Sequence, residues 1–285
     1  MKIAISGSNG YIAVNLIRKL QSVNHQIMKI QRNELYNPTA LSRIISGTDC
    51  VIHLAGAPIL QKWTNENKAE IVRSRTETTQ NIVSIINNLP FGERPKTFIS
   101  ASAIGIYKSG LTHSENSTNF SEDFVGQVVK QWENSSANLD LSIRKVIFRI
   151  GVVIGKESET IRKLIPVFKL GLGGKVGNGK QPFPFVHIND VVNAFFWAVQ
   201  NNEVAKIFNL VAPQNITNGQ FTKALAEKLK RPAFLSVPEG ALKLVYGEAA
   251  SLLYESPQAY PTWLLEYGYR FKYPDIESAL NEIID

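Results

Sequence analysis

Hydrophobic positions along the first half of the chain follow two alternating patterns. Short, nearly continuous β-branched runs at Lys2–Ser6, Gln26–Gln31, Cys50–Leu54, Thr97–Ser102 and Lys145–Ile150 predict strands. Between them, segments 10–22, 39–46, 64–89 and 123–139 space their apolar residues as amphipathic helices do. In the first helix Ile12, Leu16 and Leu20 share one face. Strands that are apolar on both faces and alternate with helices predict an α/β fold, a Rossmann-type doubly wound parallel sheet. After about residue 155 the pattern breaks. Gly and Pro concentrate in LGLGGKVGNGKQPFPF (170–185), helical spacing returns at Asp190–Gln200 and 218–230, and IFNLV (207–211) reads as a strand crossing back to the sheet. We therefore expect a sheet domain over 1–155, with returns up to about 211, and a smaller mixed C-terminal lobe over 156–285.

Composition narrows the class. Of 285 residues, 44% are hydrophobic and 19% charged, which supports a sizeable core and excludes wholesale disorder. No apolar run approaches the roughly 20 residues of a membrane span, and glycine arrives too early in MKIAISGSNG for a signal peptide. A soluble, cytoplasmic protein, monomer or homodimer, is the expectation. The single Cys50 makes no internal disulfide, and four scattered histidines offer no zinc spacing, so no metal is expected. The net charge of +7 favours an anionic partner. Because the basic residues are spread without a run, they argue for a phosphate-rich cofactor and against nucleic acid.

The opening strand leads directly into Gly7-Ser8-Asn9-Gly10-Tyr11-Ile12-Ala13, and helical spacing begins at once. Strand, tight turn and helix start are the context of a dinucleotide fingerprint. Gly7 permits the turn, Gly10 lets the backbone approach a pyrophosphate, and the free N–H groups of the helix end hold it. The next strand ends at Gln31-Arg32, with no carboxylate there for an adenosine ribose and one guanidinium suited to a 2′-phosphate, although Glu34 lies slightly beyond and counts the other way. NADP(H) is therefore expected over NAD(H). In the 64–89 helix Ile71, Thr78, Ile82, Ile85 and Leu89 form a stripe, and Arg75 falls on it. A guanidinium there needs an anion or carbonyls; cofactor phosphate, ribose edge or a structural carboxylate would each serve.

These pieces resemble extended short-chain dehydrogenases/reductases, the group that includes sugar-nucleotide epimerases and dehydratases. The matching segments are GSNGYIA (7–13), HLAG (53–56), ISASAIGIY (99–107), RIGVVIGK (149–156) and GNGKQPFPFVHINDVVNAF (177–195). RSRTETTQNIV (73–83), the Trp63 region, LGLGGKVGNGKQ (170–181) and RPAFLSVP (231–238) resemble, more narrowly, the atypical epimerase-like subgroup whose C-terminal segment has no assigned function. The resemblance implies cofactor contacts at Gly7, Ser8, Asn9, Gly10, Tyr11 and Ile12, then Arg32, then Leu54, Ala55 and Gly56, with Ser100 and Val153 as further contacts. It places Glu70 and Arg75 at the nicotinamide-side ribose.

The larger family's reductases use a tyrosine and, four residues on, a lysine that lowers the phenol's pKa. No tyrosine here has a lysine four residues later. Anchored on Trp132-Glu133, the expected pair falls at Val125 and Val129. The family's upstream serine survives as Ser102, which would hold a substrate oxygen or serve as a strand-end turn residue. Tyr107 is a candidate acid, with packing or substrate stacking as the alternative. Glu115 and Glu122, in the polar loop THSENSTNFSED, read as solvated carboxylates, with a lid over the site as the alternative; His53 reads as a satisfied structural histidine and Cys50 as core. In nucleotide-sugar enzymes the segment corresponding to 170–185 wraps the substrate, so Lys175, Lys180 and Phe183 are expected to bind it. His187, which with Asp190 matches the family's HxxD, would either line the cleft or brace a helix start. The chain thus reads as an NADP(H)-binding epimerase, dehydratase or reductase acting on a nucleotide sugar or another small carbonyl substrate, or alternatively as a non-catalytic NADP(H) sensor.

Overall fold

A computed structural model of the protein describes residues 1–284. Its elements run β1 Lys2–Ser6, α1 Tyr11–Gln21, β2 Gln26–Ile30, α2 Pro38–Ile45, β3 Cys50–His53, α3 Asn65–Asn88, β4 Thr97–Ala103, β5 Thr112–His113, α4 Phe124–Asn134, β6 Arg144–Ile150 and β7 Val152–Ile154. Then follow α5 Glu159–Lys169, β8 Gly174–Val176, β9 Phe185–His187, α6 Ile188–Gln200, β10 Ile207–Leu210, α7 Asn218–Leu229, β11 Leu235–Val237 and α8 Glu239–Tyr246. The chain finishes with α9 Ser251–Tyr254, β12 Gln258–Ala259, α10 Thr262–Glu266 and α11 Ile276–Ile284.

Six strands form one parallel sheet in the order β10-β6-β4-β3-β1-β2. The continuous apolar runs are explained by burial on both faces: Ile3, Ala4 and Ile5 of β1 and Cys50, Val51 and Ile52 of β3 are all fully buried. Helices α1 and α6 pack together on one face, and α2, α3 and α4 on the other. From β1 the chain moves outward to β2, then returns across β1 to β3. This reversal opens a crevice at the C-terminal ends of β1 and β3, where ligands of open α/β sheets bind.

The expected return to the sheet is β10, which pairs with β6 from Ile207↔Ile147 to Leu210↔Ile150. The helix expected over 123–139 stops at Asn134. Ser135 and Ser136 hydroxyls donate to the carbonyls of Gln131 and Glu133, which offers the backbone a turn instead of another helical step. The C-terminal region adds three two-stranded parallel pairs: β7 with β9, β8 with β11, and β12 with β5. The last of these ties the tail to the loop between β4 and α4. No described helix is long and apolar enough to cross a membrane.

Candidate functional site

The ends of β1 and β3 are stitched together by side chains. Ser6 Oγ lies 2.6 Å from His53 Nδ1, and the Leu54 amide donates to Ser6 Oγ at 3.2 Å. Gly7 then turns with φ +67°, and a Cβ there would sit 2.6 Å from the Leu54 carbonyl oxygen. No other residue fits. The Gly10 amide donates to the Gly7 carbonyl oxygen at 2.9 Å, closing the turn just before α1. That helix has no side-chain cap and no acidic residue in its first turn, so its leading N–H groups remain available to an anion. Gly7 to Gly10, Arg32 and Leu54 to Gly56 all line one cavity of about 270 Å³. Tyr11 and Ile12, at the helix start, are not among its lining residues; both side chains pack half-buried against the core. Burial raises the Tyr11 phenol to about 12.

At the far end of this cavity Arg32 reaches Glu70, which also accepts from Arg73 Nε and a terminal nitrogen at 3.0 and 2.7 Å. The Arg73 guanidinium lies 4.9 Å from the centroid of the Tyr36 ring, another wall residue. The Arg73 hydrogen bonds hold the Glu70 carboxyl below its ordinary range. Arg73 also lies 3.8 Å from Glu77, and the Gln31 amide donates to Glu34 at 2.6 Å, so both guanidinium groups stand among carboxylates. Glu70 thus stands beside Arg32, and not with Arg75 where the resemblance placed it. Arg73 escaped the sequence reading; its signal was the Arg73-Ser74-Arg75 triplet, of which only Arg75 interrupts the apolar stripe.

Arg75 donates to the carbonyls of Ala57 and Ile71 at 2.9 and 3.0 Å and lies 5.2 Å from the centroid of the Trp132 ring. It has no carboxylate partner among the described residues; burial alone lowers it to about 10. The structural-carboxylate alternative is thereby removed. A Cβ on Gly56 would approach its Cζ to 3.2 Å, so Arg75 forms the partition between the first cavity and a second one.

The second cavity, about 350 Å³, lies between the C-terminal end of the sheet, α4 and the C-terminal region. Val125, Val129 and Trp132 of α4 line it, as do Ile104, Tyr107 and Leu253. Ser102 is set back from it and donates to Glu133 Oε1 at 2.6 Å. Glu133 is held bidentately by Arg149, whose third contact is the Tyr107 hydroxyl at 2.8 Å, and that hydroxyl donates to Asn209 Oδ1 at 2.8 Å. Both hydroxyls proposed from sequence therefore have protein partners in one buried network. Tyr107 is 1% exposed and stacks on His113, and burial raises its phenol above the ordinary value against the pull of Arg149.

Other expected residues fall elsewhere. Glu115 is not solvated: it is buried, accepts from the Asn209 amide at 3.0 Å, and burial raises its carboxyl, because the β5–β12 pairing draws its loop inward. Glu122 is exposed as expected. Lys175, Lys180, Phe183 and His187 do not line the second cavity. Lys175 faces a separate surface hollow beside α7, Lys180 is exposed, and Phe183 stacks on Phe221 at 4.1 Å. His187 caps α6 by accepting from the Asn189 amide, and its Nε2 meets Glu282 at 2.9 Å. Residues 251–257 supply the wall that 170–185 was expected to build. Ser100 donates to the Ala101 carbonyl, and Val153 packs in the core while its neighbour Val152 lines the second cavity. His53 is satisfied by Ser6 and Thr78, and Cys50 is fully buried in β3, as expected.

Comparison with known proteins agrees with this geometry. A sequence profile of the NAD dependent epimerase/dehydratase family matches residues 3–210. The chain belongs to that family. A second profile, a domain of unknown function (DUF1731), matches residues 237–283. Among relatives, the chain is 32% identical over 302 residues to the Arabidopsis thaliana epimerase family protein SDR39U1 homolog, chloroplastic, covering 100% of this chain and 87% of the relative. It is 32% identical over 300 residues to the epimerase family protein YfhF of Bacillus subtilis, covering 100% of this chain and 98% of the relative. The crystal structure of human epimerase family protein SDR39U1 (isoform 2) with NADPH superposes with a TM-score of 0.92 at 29% identity, covering 100% of this chain and 99% of that one.

Proposed function

We propose that this family member binds NADP(H) in the glycine-loop cavity and presents a small carbonyl substrate to it from the second cavity, as a reductase- or epimerase-type enzyme. The observation that carries the reading is the uncapped β1–α1 turn facing a cavity whose other end holds Arg32, with Arg73 beside it on the shared Glu70. The NADPH-bound human relative supports it. Bound there, the dinucleotide would supply or accept a hydride. Amides at the start of α1 would hold its diphosphate, and Arg32 with Arg73 its 2′-phosphate as Glu70 gives way. Arg75 would meet it at the partition. Residues 1–155, with returns to about 211, would hold the cofactor, and 156–285 would close the substrate side.

A second reading is favoured by one feature of the wall. Val125 and Val129 occupy the places where the larger family has its Tyr and Lys, and neither valine exchanges a proton. A non-catalytic NADP(H) sensor would need no such pair. Titration calorimetry tests the first step: Arg32→Ala is expected to weaken NADPH by about tenfold while leaving NADH little changed. Equal losses for both would overturn the 2′-phosphate assignment. NADPH oxidation in the presence of small carbonyls then distinguishes a reductase, which consumes the cofactor, from a sensor; an epimerase, which regenerates it, is read instead by isomerisation of the substrate.

A further inference from the structure

We propose that the second cavity takes a small, largely hydrocarbon carbonyl compound whose oxygen-bearing end meets Arg75, and that it does not take a nucleotide sugar. This rests on the reading of the first cavity as a dinucleotide site and names the substrate class of its neighbour.

The two facing walls are apolar. Val125, Val129 and Trp132 stand four and then three residues apart on α4, a single helical face. Opposite them come Leu252, Leu253 and Pro257 from the C-terminal region. A sugar ring carries hydroxyls around its edge, and each one desolvated without a partner costs about 1–3 kcal/mol. Ser109, Thr160, Ser251 and Ser256 also line the cavity, but apolar side chains, chiefly valine, isoleucine, leucine and indole, make up most of the lining and leave much of a sugar's edge without partners. A nucleotide sugar also brings a diphosphate, yet Arg75 is the only Lys, Arg or His among the described residues lining the cavity. Asp123, at the start of α4, and Glu255, in the C-terminal region, line the cavity too and disfavour further negative charge. Lys175 and Lys180, the cations that could have clasped a diphosphate, lie on other surfaces. The volume, about 350 Å³, is near the lower end of the roughly 300–1,000 Å³ typical of ligand cavities.

Arg75 fixes the orientation. Its guanidinium is anchored to two backbone carbonyls and lacks a carboxylate, so its remaining N–H groups can serve an oxygen of the ligand. Its contact with Gly56 sets that oxygen at the partition with the first cavity.

The test uses the full chain saturated with NADP⁺, so that no turnover obscures binding. NADP⁺ is titrated first, and failure at this step overturns the dinucleotide reading itself. The loaded protein is then titrated calorimetrically with benzylideneacetone, cinnamaldehyde and cyclohexanone, and separately with UDP-glucose. At least one of the three carbonyls is expected to bind saturably, and UDP-glucose to bind more weakly than it. Val129→Asp should weaken the carbonyl by about tenfold with NADP⁺ affinity unchanged. Leu253→Ala, on the opposite wall, should weaken it severalfold and serves if the aspartate variant does not fold. Saturable UDP-glucose binding tighter than every carbonyl overturns the proposal, as does the absence of carbonyl binding to loaded protein. Carbonyl affinity indifferent to the substitutions overturns it as well.

Discussion

Arg75 lines the second cavity and Arg149 stands behind its Tyr107 wall, and their partners give them different duties. Arg149 and Glu133 form a pair 5% and 11% exposed, extended by Ser102 and Tyr107. Removing one charge strands the other in a low-dielectric interior, so Arg149→Met should cost about 3–5 kcal/mol in denaturant unfolding. Arg75 leaves no carboxylate behind. Arg75→Met should therefore weaken NADPH binding with a smaller loss of stability; a loss as large as that for Arg149 would contradict its assignment to ligand. Buried His53 provides a pH signature. Burial depresses its pKa to about 3 in the folded chain, against the ordinary 6.5. Between these values the unfolded chain binds a proton that the folded chain does not, so stability falls as pH falls through this window. The expected slope is about 1.4 kcal/mol per pH unit from this residue, and His53→Gln should remove that slope in melts at a series of pH values. These residue types were legible from the sequence, but their partners were not. Glu133, which organises Ser102, is 31 positions away from it.

Among the elements, the β1–α1 turn was the most legible, because its requirements are local. A positive φ at Gly7 and an uncapped helix follow within a few residues of each other, while the close carbonyl of Leu54 comes from the neighbouring strand. Gly7→Ala should cost about 1–3 kcal/mol of stability from backbone strain and abolish NADPH binding, read by melting and by titration. Normal NADPH affinity in that variant would contradict the turn's assigned role. The end of α4 was less legible. Its periodicity runs on past Asn134, and only the two serine hydroxyls bonding back to the helix stop it. The glycine-rich stretch 170–185 was legible as irregular backbone but not in its destination. Pairing of β8 with β11 and stacking of Phe183 on Phe221 turn it toward α7, away from the cavity.

For the whole molecule, one joint between sheet and tail passes through a buried carboxylate. Asp190, fully buried at the start of α6, accepts from the Lys272 and Tyr273 amides at 2.6 and 3.0 Å, and Tyr269 donates to its backbone carbonyl. His187 meets Glu282 beside it. Asp190→Ala should cost about 1.5–3 kcal/mol for each charge-assisted bond lost and raise hydrogen exchange around 269–273. Unchanged protection there would show that the tail does not depend on the Asp190 carboxylate.

By itself, the order of apolar runs and helical stripes determined the doubly wound sheet, its return strand and the anion-receiving turn, since each depends on residues close together in the chain. Tertiary structure alone decided that Glu115 is buried, that Arg75 lacks a carboxylate, and that 251–257 wall the second cavity. Those outcomes depend on which distant segments share low-dielectric space, a relation that spacing along one chain does not encode.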